Sequence, residues 1–195
     1  MRFLLRLSNK GKYTPADQKK LTTRAYETVR SLGADIGNLR VSSSAVEFDL
    51  LLDSKESLNE ALKALEREIG PILTMRELDV ETTAHVGSED AISLGLKLFN
   101  EERYWESHEA LEIAWRRFSE SEKEVLQGII LVAAALVHLQ KNDPEVALSV
   151  LQRAYGKLAA SQRKQFGVDI AALKQKIASM LSSGHPTFFT IETEG

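Results

Sequence analysis

The stretch that decides the fold of the first half is RFLLRLS at residues 2–8, followed by TPAD at residues 14–17. The first segment places Phe3, Leu5 and Leu7 on one side, which is the period of a half-buried strand. The second supplies a capping hydroxyl, a proline at the first helical position and an acid in the first turn. We therefore predict that the chain opens with a strand followed by a helix.

Strand and helix signals continue to alternate through the first half. The first helix is predicted to reach residue 32, a hairpin covers residues 39–53, a second helix covers residues 54–69 and a last strand covers residues 72–78. The order is βαββαβ. This order predicts an α+β fold whose residues 1–80 form a ferredoxin-like plait, an antiparallel sheet with both helices on one face.

The face of that sheet turned away from the helices carries charges of both signs. Arg2 and Arg6 are expected beside Glu47 and Asp49 on a neighbouring strand, where opposite charges stabilise the sheet by roughly some tenths of a kcal/mol each. No aromatic side chain is placed there to stack on a base, and a net charge of -3 argues against a general nucleic-acid binder. We expect a structural or self-associating role, a homodimer included, and no nucleic-acid partner.

Helical periodicity begins after a predicted linker at residues 79–87. An all-helical domain of four to five helices is predicted over residues 87–183, and its third helix is apolar nearly all round. The longest apolar run, residues 129–137, is far shorter than the roughly 20 residues that span a bilayer. The chain has no cysteine and no recognisable signal peptide, so we expect a cytoplasmic protein without a membrane segment.

The second helix of this half carries the pattern His-x-x-x-Glu-x-x-Trp at His108, Glu112 and Trp115. At 3.6 residues per turn, His108 and Glu112 stand one above the other on one helix face. An imidazole and a carboxylate in this arrangement can hold one divalent metal ion between them, or can hydrogen-bond to each other. The spacing therefore predicts a metal-binding or polar site.

The motif helix is related to the fourth helix of this half. A shift of 39 residues places His108 over Ala147 and Trp115 over Ala154. In helix-turn-helix repeats of the tetratricopeptide kind, such alanines are small because neighbouring helices approach closely. The comparison predicts that His108 faces inward, where a polar ring costs about 1 to 3 kcal/mol unless it is hydrogen-bonded or ligated.

A pocket around the motif would supply the partners that a buried histidine needs. Glu109 and Glu106 lie nearer the solvent edge and are the candidate catalytic bases. Gln127 and His138 share a face of the third helix, but they lie roughly 16 Å apart and cannot both touch one small ion. The predicted pocket is walled by His108, Glu112, Gln127 and His138 and backed by Trp115 and Tyr104.

Around the motif the chain reads FNEERYWESHEALEIAW at residues 99–115 and LQGII at residues 126–130. These segments, within residues 92–155, resemble the prokaryotic domain of unknown function 309. The resemblance implies an all-helical domain in which His108, Glu112 and Trp115 match a motif proposed to bind metal, with no established activity. It does not extend to the first half of the chain.

Two hypotheses of different classes follow for the function. In the first, a divalent metal held by His108 and Glu112 lowers the pKa of a bound water, and Glu109 or Glu106 accepts its proton, which is metal-assisted hydrolysis. In the second, the protein is a non-enzymatic interaction module that binds a protein partner through tetratricopeptide-like helix pairs. The pair of His108 and Glu112 is then purely structural.

The last segment, residues 184–195, has a composition that favours a strand. It contains Phe188, Phe189 and Ile191, and a free apolar end of this kind is an aggregation hazard unless it is covered. We expect this tail to pair with an edge strand of the sheet or to pack its phenylalanines between the domains.

Overall fold

A computed structural model describes residues 1–78, 87–159, 161 and 164–192, with the side chains of residues 120 and 121 left out. Contacts divide the chain into two compact units. The first contains Met1–Thr83 and Gln140–Asn142, and the second contains Ala84–Leu139 and Asp143–Gly195. The predicted linker lies outside the described residues apart from Gly87, so the separability of two domains stays a prediction.

The first unit is built on a four-stranded antiparallel sheet with the order β2-β3-β1-β4. Its elements are β1 (Arg2–Ser8), α1 (Gln18–Val29), β2 (Ala34–Val41), β3 (Ala45–Leu52), α2 (Leu58–Glu68) and β4 (Ile72–Glu77). The central strand β1 sets Leu5 opposite Phe48 and Leu7 opposite Val46, and all four side chains are fully buried. The predicted alternation of buried residues along β1 is thereby confirmed on this side of the sheet.

The start of α1 follows the local signals in the sequence. The Thr14 backbone N–H and hydroxyl both donate to the Asp17 carboxylate, at 2.8 and 3.0 Å, and Pro15 opens a short 3₁₀ turn that leads into the helix. At the other end a 3₁₀ turn leads to Gly33, whose φ of +69° suits a residue without a side chain.

The second unit contains five helices in its described part. Its elements are α3 (Ser88–Asn100), α4 (Tyr104–Trp115), α5 (Glu120–Gln140), α6 (Pro144–Leu158), β5 (Lys164–Gln165), β6 (Val168–Asp169) and α7 (Ile170–Ser183). The predicted four to five helices are confirmed. Within the described ranges, no helix is both long enough and apolar enough to cross a membrane.

The short hairpin of β5 and β6 corrects the predicted start of the last helix. The sequence predicts helix from Val168, whereas Val168 pairs with Gln165 across the hairpin. The helix α7 begins two residues later because the Asp169 carboxylate caps it and accepts a hydrogen bond from the Ala172 backbone N–H at 3.0 Å.

The helices α3 and α4 pack very closely at one point. A Cβ atom on Gly95 would lie 2.6 Å from Cγ of Leu111, which is closer than real contacts allow. The inward face of α4 is formed by Tyr104, Ser107 and Leu111, which are all fully buried. Because Gly95 has no side chain, α3 and α4 can approach each other closely, and the Leu111 side chain packs against the glycine.

The tail docks on the second unit itself. Asn100 at the end of α3 hydrogen-bonds to the backbone of Ile191, and Ile191 is buried. The tail is docked, as the sequence predicts. It does not form a strand, because residues 185–192 have no strand structure. The expected pairing with an edge of the chain's own sheet is therefore wrong, and pairing in a dimer mate stays a prediction.

Candidate functional site

The motif histidine and glutamate lie at the surface of α4. His108 Nε2 and Glu112 Oε1 are 3.8 Å apart, and the two side chains are 30% and 46% exposed. The prediction that His108 faces inward is wrong. The pair is close enough for a loose ion pair when the imidazole is protonated, and solvent reaches both partners.

The error comes from the register of the helix comparison. The buried positions of α4 and α6 align with a shift of 40 residues, which places Ser107 over Ala147 and Leu111 over Leu151. A shift of 39 residues replaces Ser107 by His108. One residue corresponds to about 100° of rotation around a helix, enough to move a side chain from the core to the surface.

Trp115 joins the end of α4 to the beginning of α5. Its indole N–H donates to the Lys123 carbonyl at 3.1 Å, and the Lys123 ammonium lies 5.3 Å from the centre of the ring. The ring is partly buried against the helical core. Trp115 is therefore placed to fix the turn between two helices.

The candidate base Glu106 is held by an arginine. Arg103 donates to both carboxylate oxygens of Glu106, at 2.7 and 2.8 Å, in the bidentate geometry that gives strong ion pairs. This hydrogen bonding to Glu106 raises the pKa of Arg103 above its ordinary value. This bidentate pair fixes the position of the Glu106 carboxylate at the start of α4.

Tyr104 is a core residue with an unusual hydroxyl. The side chain is fully buried, and its ring meets Phe99 edge-on at 5.0 Å. Within the part of the chain that the structure describes, its hydroxyl has no hydrogen-bond partner. Burial raises the pKa of Tyr104 well above the ordinary value of a tyrosine.

The remaining candidate residues lie on α4 and α5. His138, at the end of α5, has its Nδ1 atom 3.8 Å from the Asp143 carboxylate. Gln127 and Glu109 are half-buried, and Gln127 makes no hydrogen bond to the motif pair within the described ranges. In those same ranges, no group of three or more His, Asp or Glu side chains could hold a metal ion.

A cavity among the described residues lies along α3. Its volume is about 840 Å³, within the range of roughly 300–1,000 Å³ typical of ligand pockets. Ile92 and Leu96 line it from the helix, and Phe118 and Phe166 line it from two loops. We call this cavity the α3 groove. Its polar lining residues are Glu89, Ser93, Lys97, Asn100, Glu101, Glu122 and Gln165.

The His-x-x-x-Glu-x-x-Trp motif does not point to the α3 groove, but two other features of the sequence do. Ile92 and Leu96 are spaced by four residues, which signals one apolar face of a helix. The second signal is Phe166-Gly167 at the tip of the β5–β6 hairpin, where both residues have positive φ, at +57° and +75°. A turn of this kind favours Asn-Gly, so a phenylalanine there is unusual.

Comparison with known proteins assigns part of the second unit. Residues 92–150 match the family model described as a domain of unknown function (DUF309), which confirms the resemblance for this segment of the chain. The matched segment includes His108, Glu112 and Trp115, and the first unit lies outside it. No curated protein matches the chain.

Proposed function

We propose that this protein is a non-enzymatic interaction module that binds a protein partner in the α3 groove. The observation that carries this proposal is the groove itself, a cavity of about 840 Å³ that combines four apolar side chains with seven polar ones. The motif helix α4 supports the groove from behind, since α3 packs on it at Gly95. Trp115 and Glu106 then serve the packing of the helices, as their contacts with Lys123 and Arg103 indicate.

The shape and charge of the groove favour an amphipathic helix as the partner segment. The lining residues on α3 run from Glu89 to Glu101, a length of about 18 Å at 1.5 Å per residue. Carboxylates outnumber cations in the lining, with Glu89, Glu101 and Glu122 against Lys97. A helix with an apolar stripe and flanking Lys or Arg residues complements such a surface.

The conformation of Phe166 supports a binding role for this surface. A bulky residue in the left-handed region is strained by about 1 kcal/mol or more, and strained residues cluster at functional sites. The ring of Phe166 meets that of Phe118 edge-on at 5.2 Å, and both line the groove. Asparagine adopts a positive φ with less backbone strain than phenylalanine does. We therefore infer that the aromatic ring of Phe166 contributes contacts that an asparagine could not make.

Two designed peptides test the proposal. They share one apolar helical stripe, and one carries flanking lysines while the other carries flanking glutamates. The lysine peptide should bind the full chain, and Phe166→Asn should weaken binding at least about tenfold, since one hot-spot aromatic contributes 1.4 kcal/mol or more. Ile113→Ala, which trims an exposed apolar side chain of α4, is the control and should change nothing. Equal binding of both peptides, or no effect of Phe166→Asn, would refute the proposal.

We assign the first unit to the ferredoxin-like class as part of this proposal. The strand order β2-β3-β1-β4 and the alternation of strands with two helices support the assignment. A structural or self-associating role, in a homodimer, is the role we propose for it. A cytoplasmic location fits a chain of 195 residues without cysteine.

Metal-assisted hydrolysis at the motif is the competing proposal. It is supported by the accessibility of His108 and Glu112, which an ion could reach from solvent, and by the motif in the matched segment. Two protein ligands are fewer than the three that catalytic zinc sites use. The metal content of tag-free protein distinguishes the two proposals. One equivalent of bound metal in the wild type and none in His108→Ala would favour hydrolysis over the interaction module.

A further inference from the structure

The second unit holds its own tail in the way that a binding protein holds a peptide. Asn100 Nδ2 donates to the Ile191 carbonyl at 2.9 Å, and the Ile191 N–H donates to Asn100 Oδ1 at 2.8 Å. A single amide side chain thus makes the two bonds that a neighbouring β-strand would make. Both hydrogen bonds are made to backbone atoms of Ile191. Any extended segment with a backbone N–H at this position could therefore form them.

Two adjacent aromatic rings supply the side-chain contacts. The ring of Phe188 stacks on that of Tyr104, with the ring centres 5.9 Å apart. The ring centre of Phe189 lies 5.5 Å from that of Phe99. The Lys176 ammonium lies 5.4 Å from the Phe189 ring and donates to the Thr190 carbonyl at 2.8 Å. The site therefore holds two consecutive aromatic rings of the tail.

The connection between α7 and the tail is a left-handed glycine followed by an exposed residue. Gly184 ends α7 in the left-handed region with φ +70°, and both Gly184 and His185 are exposed. Rotation at these residues would release the tail without unwinding the helix. Release would uncover the ring of Tyr104, so the open site is unfavourable until another apolar segment covers it.

We propose that the tail site, formed by Phe99, Asn100, Tyr104 and Lys176, recognises an extended peptide with two adjacent aromatic side chains in a partner protein. The chain's own tail occupies the site in cis until such a segment displaces it. A second copy is the weaker candidate, because an identical tail in trans competes against an effective cis concentration in the millimolar range. A partner segment with more complementary flanking residues overcomes that advantage.

Binding of a labelled peptide to the full-length chain tests the proposal. The probe is His-Pro-Thr-Phe-Phe-Thr-Ile-Glu, which reproduces residues 185–192, and fluorescence anisotropy measures its binding. The variant Phe188→Ala/Phe189→Ala should bind the probe at least about tenfold more tightly than the wild type, because its site is more often open. Adding Asn100→Asp should reverse most of that gain, since a carboxylate cannot donate to the Ile191 carbonyl. A probe with alanine in place of both phenylalanines should not bind.

Controls separate this site from the α3 groove. Thr187→Ala changes an exposed tail residue and should bind the probe as weakly as the wild type does. Phe166→Asn should leave probe binding unchanged, so failure of the groove proposal would not affect this one. If the double variant loses helical circular dichroism, Phe189→Leu replaces it and should tighten binding by a smaller factor.

Three results would overturn the proposal. Equal binding to the wild type and to the double variant would show that the tail does not compete for the site. Equal binding after Asn100→Asp would show that the amide does not hold the peptide. A concentration-dependent dimer of the wild type that disappears in Phe188→Ala/Phe189→Ala would assign the site to a second copy rather than to a partner.

Discussion

Two sets of charged side chains, one on the sheet and one on α4, differ in what surrounds them. On the sheet, Arg40 Nη2 lies 2.9 Å from Glu47 Oε1, and the two side chains are 3% and 10% exposed. The neighbouring Asp49 side chain, 3% exposed, accepts a hydrogen bond of 2.7 Å from Arg2. On α4, His108 and Glu112 are 3.8 Å apart and are open to solvent.

The comparison shows that burial, rather than residue type, decides how much an ion pair matters to the fold. A partner removed from a buried pair leaves a charge without compensation, which costs about 3–5 kcal/mol. A partner removed from a surface pair is replaced by water, and the effect is about 0–1 kcal/mol. The sequence motif points to the exposed pair on α4, whereas the buried pair on the sheet is expected to matter more for the stability of the fold.

The largest expected effect is on the sheet. Glu47→Ala should lower the free energy of unfolding by about 3–5 kcal/mol, because the buried guanidinium of Arg40 loses the carboxylate that lies 2.9 Å from it. Urea denaturation measures the change. Glu77→Ala, which removes the 3.8 Å partner of the exposed Lys55, is the control and should cost no more than about 1 kcal/mol. Equal losses in the two variants would break the comparison.

A change of opposite sign is expected at Tyr104. Tyr104→Phe removes a buried hydroxyl without a partner in the described residues and should stabilise the fold by about 1 kcal/mol. Because burial raises the pKa of Tyr104, the folded state keeps its proton at a pH where the unfolded state has released it. The wild type should therefore lose stability as the pH rises above about 10, and the variant should lose less.

Melting temperatures at neutral and alkaline pH provide the measurement for this prediction. A lower melting temperature of Tyr104→Phe at neutral pH would mean that the hydroxyl has a stabilising partner. Identical pH profiles of the two proteins would mean that Tyr104 does not titrate differently in the folded state.

The smallest effect is expected at the motif itself. His108→Ala should change the free energy of unfolding by less than about 0.5 kcal/mol, since the pair with Glu112 is loose and solvated. Chemical denaturation checks this against His138→Ala, a second half-exposed histidine that faces a carboxylate at 3.8 Å. A loss of 1 to 3 kcal/mol for His108→Ala alone would restore the inward-facing site that the sequence predicts.

The local features of the fold could be predicted from the sequence because short-range physics determines them. The period of two in β1 and the capping sequence at Thr14 each depend on neighbouring residues. The docking of the tail could also be predicted, since Phe188 and Phe189 need cover. Its position could not be predicted, because Asn100 lies far from Ile191 along the chain.

The candidate site was predicted less well because it depends on which side of a helix faces the core. An error of one residue in the comparison of α4 with α6 turned His108 inward in place of Ser107. The role of Arg40 was missed for a related reason. The registry between β2 and β3 shifts between Gly37 and Arg40, and alternation of residues in one strand does not reveal such an irregularity.

The central position of β1 has a consequence for the order in which the chain folds. This strand precedes both of its partners along the chain, and it pairs with residues 45–51 and with residues 72–77. During synthesis β1 cannot complete its pairing until residue 77 has emerged, whereas α3 and α4 can pair as soon as the short segment of residues 88–115 has emerged. Contacts distant in sequence slow folding and local ones speed it. We therefore expect the helices of the second unit to form their first contacts faster than the sheet closes, although the sheet leaves the ribosome earlier.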